Sequence, residues 1–211
     1  MRVLTHAAFF SRGALVGWII QPVRLAGFPS RLVLNQVLQR DTIKCLPKLE
    51  EVEIMGSFLS STVDFRSLEP LSVLVLRRFC ATVFPLLPGS ILVLDFSENP
   101  AIRWSFQDLA APPLPNPESF KADYNPWIRN AHVLAILAPS LGKRSLQSLS
   151  LHRCPGVGFD SLEWLITHVE NLEELAIGGL TKLTDEILKE AATFKKLRYL
   201  GLSHSGISGM D

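Results

Sequence analysis

Cysteine is scarce in this chain and badly placed for chemistry. There are three, Cys45, Cys80 and Cys154, odd in number, far apart and without a CxxC pair. Neither a disulfide framework nor a thiolate zinc site is signalled, and a reducing compartment, cytoplasmic or nuclear, is the expected setting. Excess charge is lacking too: 21 basic residues stand against 20 acidic ones, a formal net charge of +1. That balance offers no bulk attraction toward nucleic acid or an anionic membrane surface, so neither is an expected partner. The apolar patches "AAFF" and "ALVGWII" are split by Arg12, and neither approaches the roughly 18 apolar residues of a spanning helix. The five histidines, His6, His132, His152, His168 and His204, show no HExxH spacing. No GxSxG, GxxxxGK[ST] or GxGxxG sits between a strand and a helix either. The acidic pairs Glu50-Glu51 and Glu173-Glu174 read as solvated strand edge rather than as a glycosidase couple. The expectation is therefore a chain that is not an enzyme and takes no cofactor and no metal.

Acid is also missing from the first forty residues, which carry Arg2, Arg12, Arg24, Arg31 and Arg40 but neither Asp nor Glu before Asp41. Such a composition is that of a mitochondrial transit peptide, and the alternative is an amphipathic piece of a larger basic surface. The second reading is preferred, with residues 1–30 set apart as an atypical basic segment and 31–211 as one domain.

What the chain has in abundance is leucine on a fixed beat. The pattern L-x-x-L-x-L-x-x-N/C fits Leu146, Leu149, Leu151 and Cys154, and recurs at Leu172, Leu175, Ile177 with Leu180 in the ninth slot. It recurs again at Leu197, Leu200, Leu202 with Ser205; at Ile91, Leu94, Phe96 with Asn99; at Leu71, Leu74, Leu76 with Phe79; and at Leu49, Val52, Ile54 with Ser57. The 55 residues between Ile91 and Leu146 leave room for a hidden copy, and Pro117, Phe120, Ala122, Asn125 and Ile128 supply it. The seven starts are 49, 71, 91, 117, 146, 172 and 197, and the fourth and sixth slots are apolar in every one. An eighth copy at Ile20, Val23, Leu25 and Phe28 is a weaker fit. A period of this length is the signature of a leucine-rich repeat, and each x-L-x-L-x piece reads as a strand with leucines inward and the alternate residues outward. The predicted fold is α/β: a solenoid of about seven repeats, a right-handed β/α horseshoe arc with parallel strands on its concave face. Return helices are expected over 31–46, 130–141, 159–169 and 184–194, where apolar residues fall at helical spacing, and Thr184 or Asp185 offers an N-cap oxygen. The 20 to 22 residue spacing of the early copies leaves room only for short turns. Because the chain stops at Asp211 in mid-repeat, with no polar capping unit, truncation at the C-terminus is expected.

Slot nine, which holds Cys154, is expected to turn inward, where an asparagine amide or a thiol bonds loop backbone that would otherwise be unsatisfied. His152 belongs to the outward strand exit, so a Cys-His pair is disfavoured. "APPLPNP", Ala111 to Pro117, fits a stiff loop better than a polyproline ligand, with Trp104, Phe106, Tyr124 and Trp127 flanking it. The candidate protein-binding face collects the outward slots: Glu53, Arg77, Arg78, Asp95, Glu98, Lys121, Tyr124, His152, Arg153, Arg198 and His204. Charge changes sign from copy to copy, which suits either cross-strand neutralisation or a patterned protein interface.

Through "SFKADYNPWI", "LHRCPGV" and "LTDEILKEAATFKKLRYLGLSHSGISG" the sequence resembles the repeat portion of fungal F-box/leucine-rich repeat proteins, of the cysteine-containing, ribonuclease-inhibitor-like class. The resemblance covers about residues 45–211 and rests on Asn125, Cys154, Leu183 to Asp185 and the final "GIS". It implies the target-recognition part of an SCF-type ubiquitin ligase receptor. No F-box is found here, and "GFPSRLVLNQVLQRD" only echoes one, so an SCF adaptor is a partner only if an F-box lies outside this chain. The rivals are a free-standing repeat scaffold and a mitochondrial assembly factor built on the same repeats.

Overall fold

The computed structural model describes residues 31–34, 48–56, 64–79, 82–103, 114, 116–137, 145–205 and 207. They form an α/β unit around one all-parallel sheet. The strands are β1 (Arg31–Leu34), β2 (Glu51–Met55), β3 (Val73–Arg77), β4 (Val93–Asp95), β5 (Ser119–Lys121), β6 (Ser148–Ser150), β7 (Glu174–Ala176) and β8 (Tyr199–Gly201). Each pairs in parallel with the next in sequence, giving the order β1-β2-β3-β4-β5-β6-β7-β8. The register is slot for slot: Val52 faces Leu74, Leu74 faces Leu94, and the line runs on through Phe120, Leu149, Leu175 and Leu200. A slip of one residue would turn every leucine to the opposite face, so the buried pattern itself fixes the pairing.

The core lies behind the sheet. Slots four and six are buried from Val52 and Ile54 through Leu175 and Ile177, whereas Leu200 and Leu202 beside β8 are only half-buried. Between segments the chain returns in two ways. From 64 to 70 and from 82 to 90 it makes turns, with Phe65, Leu68, Phe84 and Leu87 buried and a parallel bridge between Asp64 and Leu86. After β5 it returns through helices: α1 (Asn130–Leu137), α2 (Phe159–His168) and α3 (Glu186–Ala191). Each lays an apolar stripe on the core, Val133, Ile136 and Leu137, then Leu162 and Leu165, then Ile187 and Ala191. Asn130 ties α1 to the start of α2: its Oδ1 accepts from the Gly158 N–H at 2.7 Å and from Ser161 Oγ at 3.0 Å.

Two expectations change. The helix predicted over 31–46 begins instead as a strand, with Leu32 opposite Val52 and Leu34 opposite Ile54. "RLVL" satisfies a period of two as well as it does one turn of helix, and pairing as a strand gives partners to N–H and C=O groups along the edge of β2. Its register sets this extra strand apart from the weaker copy at Ile20 to Phe28, which falls, with all of 1–30, outside the described residues. The N-cap oxygen expected at α3 is not used by Asp185, which sits in helical geometry at φ −60° with no side-chain cap bond. Of "APPLPNP", Leu114 and Pro117 are buried, which anchors the loop; residues 111–113 and 115, like Trp104 and Phe106, lie outside the described residues. Trp127 is an anchor as well, donating from Nε1 to the Asn99 carbonyl at 2.8 Å with its ring edge-on to Phe84, Phe96 and His132.

Candidate functional site

The strand exits decide which side chains reach the outside. Strict alternation would send slot eight inward behind slots four and six. Instead the backbone turns left-handed there: φ is 66° at Gly56, 50° at Arg78, 60° at Glu98, 59° at Tyr124, 54° at Arg153, 74° at Gly179 and 59° at His204. All seven positive-φ residues among those described stand at slot eight, and five of them are not glycine. Such a conformation costs a bulky residue of the order of 1–3 kcal/mol and persists only where its surroundings impose it. Here the imposition is a continuation of the sheet ladder. The slot-eight N–H of Gly56, Glu98, Tyr124 and Arg153 donates to the slot-seven carbonyl of the next segment, Arg77, Asp123, His152 and Gly178, at 2.8–3.0 Å.

The left-handed turn then drops slot nine into the core, where Phe79, Asn99, Asn125, Cys154 and Leu180 are all 0% exposed. Asn99 Oδ1 accepts from the Phe79 N–H at 2.7 Å, and Asn125 Oδ1 accepts from the Asn99 N–H at 2.8 Å. The two amides donate back to the carbonyls of Leu76, Phe96, Ser97 and Ala122. Cys154 continues the ladder with its thiol donating to the Ala122 carbonyl at 3.0 Å. Burial pushes that thiol up to about 12 from an ordinary 9.0; the Asn125 backbone N–H pulls it down and the Asp123 charge adds to the rise. A thiol held that high is neither a nucleophile nor a ready metal ligand. His152 diverges from it, its ring edge-on to Tyr124 at 5.3 Å.

The eleven predicted face residues separate into two neighbourhoods and one outlier. Around β3 and β4 the charges are matched. Arg77 donates from Nε to Asp95 Oδ2 at 2.8 Å, and Arg78 meets Glu98. The Arg77 guanidinium is held above its ordinary value, first by the hydrogen bond to Asp95 and then by the charges of Asp95, Glu98 and Glu53, against partial desolvation. Asp95 must be corrected from a surface residue to a buried one: it is 4% exposed, covered by Arg77, and also accepts the Ser97 N–H at 3.1 Å. Arg77 is thereby structural as well, whereas Arg78 remains on the surface. Glu53 is half-buried beside them.

Around β5, β6 and β7 the arrangement is different. Tyr124 is 45% exposed, and the Arg153 guanidinium stands 5.5 Å from its ring centre. Asp123 is occupied, accepting from Ser150 Oγ at 2.6 Å and the His152 N–H at 2.8 Å. Lys121 is half-buried on β5, and His204 is exposed at slot eight after β8. Arg198 is the outlier: it lies at the opposite end of β8, 3.7 Å from Glu173. The slot-eight residues were expected on the outward face, but their left-handed backbone was not foreseen, and one signal could have found it. Gly56 and Gly179 occupy the same slot immediately before the inward-turning one, as a left-handed position invites.

Among the described residues no group of three or more His, Cys, Asp or Glu could hold a metal ion, and no helix is long and apolar enough to cross a membrane. No protein-family model matches the chain, and no curated protein matches it.

Proposed function

We propose that the chain is a leucine-rich repeat solenoid of the cysteine-containing class, a non-catalytic module that binds a partner protein through the outward face of its sheet. Within that reading it is the target-recognition part of an F-box/leucine-rich repeat receptor of an SCF-type ubiquitin ligase, acting in the cytoplasm or nucleus. The observation that supports binding over catalysis is the slot-eight column. The backbone is forced left-handed at Arg78, Glu98, Tyr124, Arg153 and His204, so side chains of five positions are presented in a row while the thiol beside them is sealed in. A face set on the strands of one sheet is rigid, and rigidity lowers the ordering cost of recognition. The ligase assignment rests on the sequence resemblance alone.

Affinity capture of the tagged chain from cells, read by mass spectrometry with a photo-crosslinker at Ser148 or Val75 and, in parallel variants, at exposed positions on α1 to α3, tests both parts. Crosslinks from those outward positions to a discrete protein support the face, and co-purification of a ligase adaptor supports the receptor role. Crosslinks arising only from positions on α1 to α3 would sink the face assignment. A face-bound target without any adaptor would leave the free-standing scaffold as the better description.

A further inference from the structure

Three of the arginines on this face already have carboxylates: Arg77 has Asp95, Arg78 has Glu98 and Arg198 has Glu173. Arg153 is different. It is exposed, makes no ion pair among the described residues, and rests its guanidinium on Tyr124 at 5.5 Å. His152 joins the same cluster, its ring 5.3 Å from the tyrosine ring. The next segment gives way to both side chains with consecutive glycines. A Cβ at Gly178 would stand 2.7 Å from His152 Nδ1 and 2.5 Å from the Ser203 carbonyl oxygen, and one at Gly179 would stand 2.6 Å from Arg153 Cγ. The seat is therefore shaped by absence of side chains on one side and by an aromatic ring on the other. Lys121, on the strand that leads to Tyr124, likewise makes no ion pair among the described residues. The nearest acid in sequence, Asp123, is already committed to Ser150 Oγ and the His152 N–H.

We propose that the cluster of Tyr124, His152 and Arg153, seated over Gly178 and Gly179, is the anchor for a short carboxylate-bearing segment of the partner protein. The inference rests on the reading of the outward face as protein-binding and names the chemistry of what it takes. An arginine laid on an aromatic ring keeps its planar fork of N–H donors free at the edge, in a geometry that matches a carboxylate two bonds at a time. Its hydration is weak and its rotamer is already restrained, so little is lost when the carboxylate arrives. A continuous polyanion fits less well than a short acidic segment. Glu174 is exposed on β7, the strand next to β6, so negative charge extended along the sheet beyond the cluster meets like charge.

The test uses the full chain, with N-terminally labelled hexaglutamate as probe and hexalysine and oligothymidylate as comparators, at low salt. Binding is read by fluorescence anisotropy and located by amide shift perturbation, with circular dichroism confirming that each variant is folded. Hexaglutamate is expected to bind and to shift the amides around Tyr124, His152, Arg153, Gly178 and Gly179. Arg153→Gln is expected to weaken it about tenfold, while Lys189→Gln, an exposed lysine on α3, leaves it within about twofold. Absence of hexaglutamate binding, or binding indifferent to Arg153→Gln, overturns the proposal. Oligothymidylate binding as tightly with the same Arg153 dependence overturns it in favour of a nucleic-acid site. If shifts fall instead around Arg78 and Glu98, the anchor is lost but the protein-binding face survives; if they fall on α1 to α3, both are lost.

Discussion

Replacing Asn99 by alanine should be among the most damaging single changes available in this protein, although the residue is small and polar. Its side chain is 0% exposed and serves four backbone groups. Oδ1 accepts from the Phe79 N–H at 2.7 Å; Nδ2 donates to the carbonyls of Leu76 at 2.7 Å, Phe96 at 2.9 Å and Ser97 at 2.9 Å. After truncation Phe96 keeps a donor, because Asn125 Nδ2 also reaches its carbonyl at 2.8 Å. The Phe79 N–H and the carbonyls of Leu76 and Ser97 lose theirs. A buried polar group deprived of its partner costs about 1–3 kcal/mol, so Asn99→Ala should destabilise by about 3–5 kcal/mol. That is a fifth or more of a typical domain's stability of about 5–15 kcal/mol. Asn99→Cys gives an internal control. A thiol stands in the same slot at Cys154 and donates to the Ala122 carbonyl, so Cys at 99 should recover one donor and lose about 1–2 kcal/mol less than alanine. Urea unfolding followed by far-ultraviolet circular dichroism measures both. A loss below about 1 kcal/mol for Asn99→Ala would refute the claim that slot nine carries the turn, as would indistinguishable alanine and cysteine variants.

Cys154 sets a second expectation. Its folded value, about 12, lies above the ordinary 9.0, so the native state holds a proton that the unfolded chain releases. The contribution is complete below about pH 9 and is lost as pH rises toward 12, by at most ~4 kcal/mol. Alkaline urea melts in a background with Cys45 and Cys80 replaced by alanine should show it, and a stability flat across that range would contradict the buried thiol. Arg77→Ala uncovers the carboxylate of Asp95 and should cost about 1–3 kcal/mol, whereas Arg78→Ala, at an exposed pair, should cost under about 1 kcal/mol; equal losses in thermal melts would undo the distinction. At Arg78 itself, where φ is 50°, glycine should be more stable than valine by at least about 1 kcal/mol, because a β-branched side chain suffers most in the left-handed region. Equal stabilities in urea would mean that the turn relaxes.

The strands were legible because their signal is redundant. Slots four and six are apolar in all seven segments, and the parallel register confirms the spacing from Val52 to Leu200. The helices after β5 were legible from their 3.6-residue stripes. "RLVL" was not, since four residues carry too little period to separate strand from helix and the deciding interaction, pairing with β2, is long-range. Burial of Asp95 was hidden for a similar reason. An outward slot predicts exposure only when the neighbouring strand does not lay a long side chain across it, as Arg77 does. The left-handed column was hidden by its own variety, because arginine, glutamate, tyrosine and histidine are not residues from which a positive φ is read.

That variety has a consequence for how the surface can change. Four kinds of side chain besides glycine ride on one backbone conformation at slot eight, held by the ladder and by the inward residue that follows, not by their own identity. Position and content are thereby uncoupled. The scaffold supplies a row of sockets, and what is plugged into them can be exchanged, by divergence or by design, with little disturbance to the register that holds the row in place.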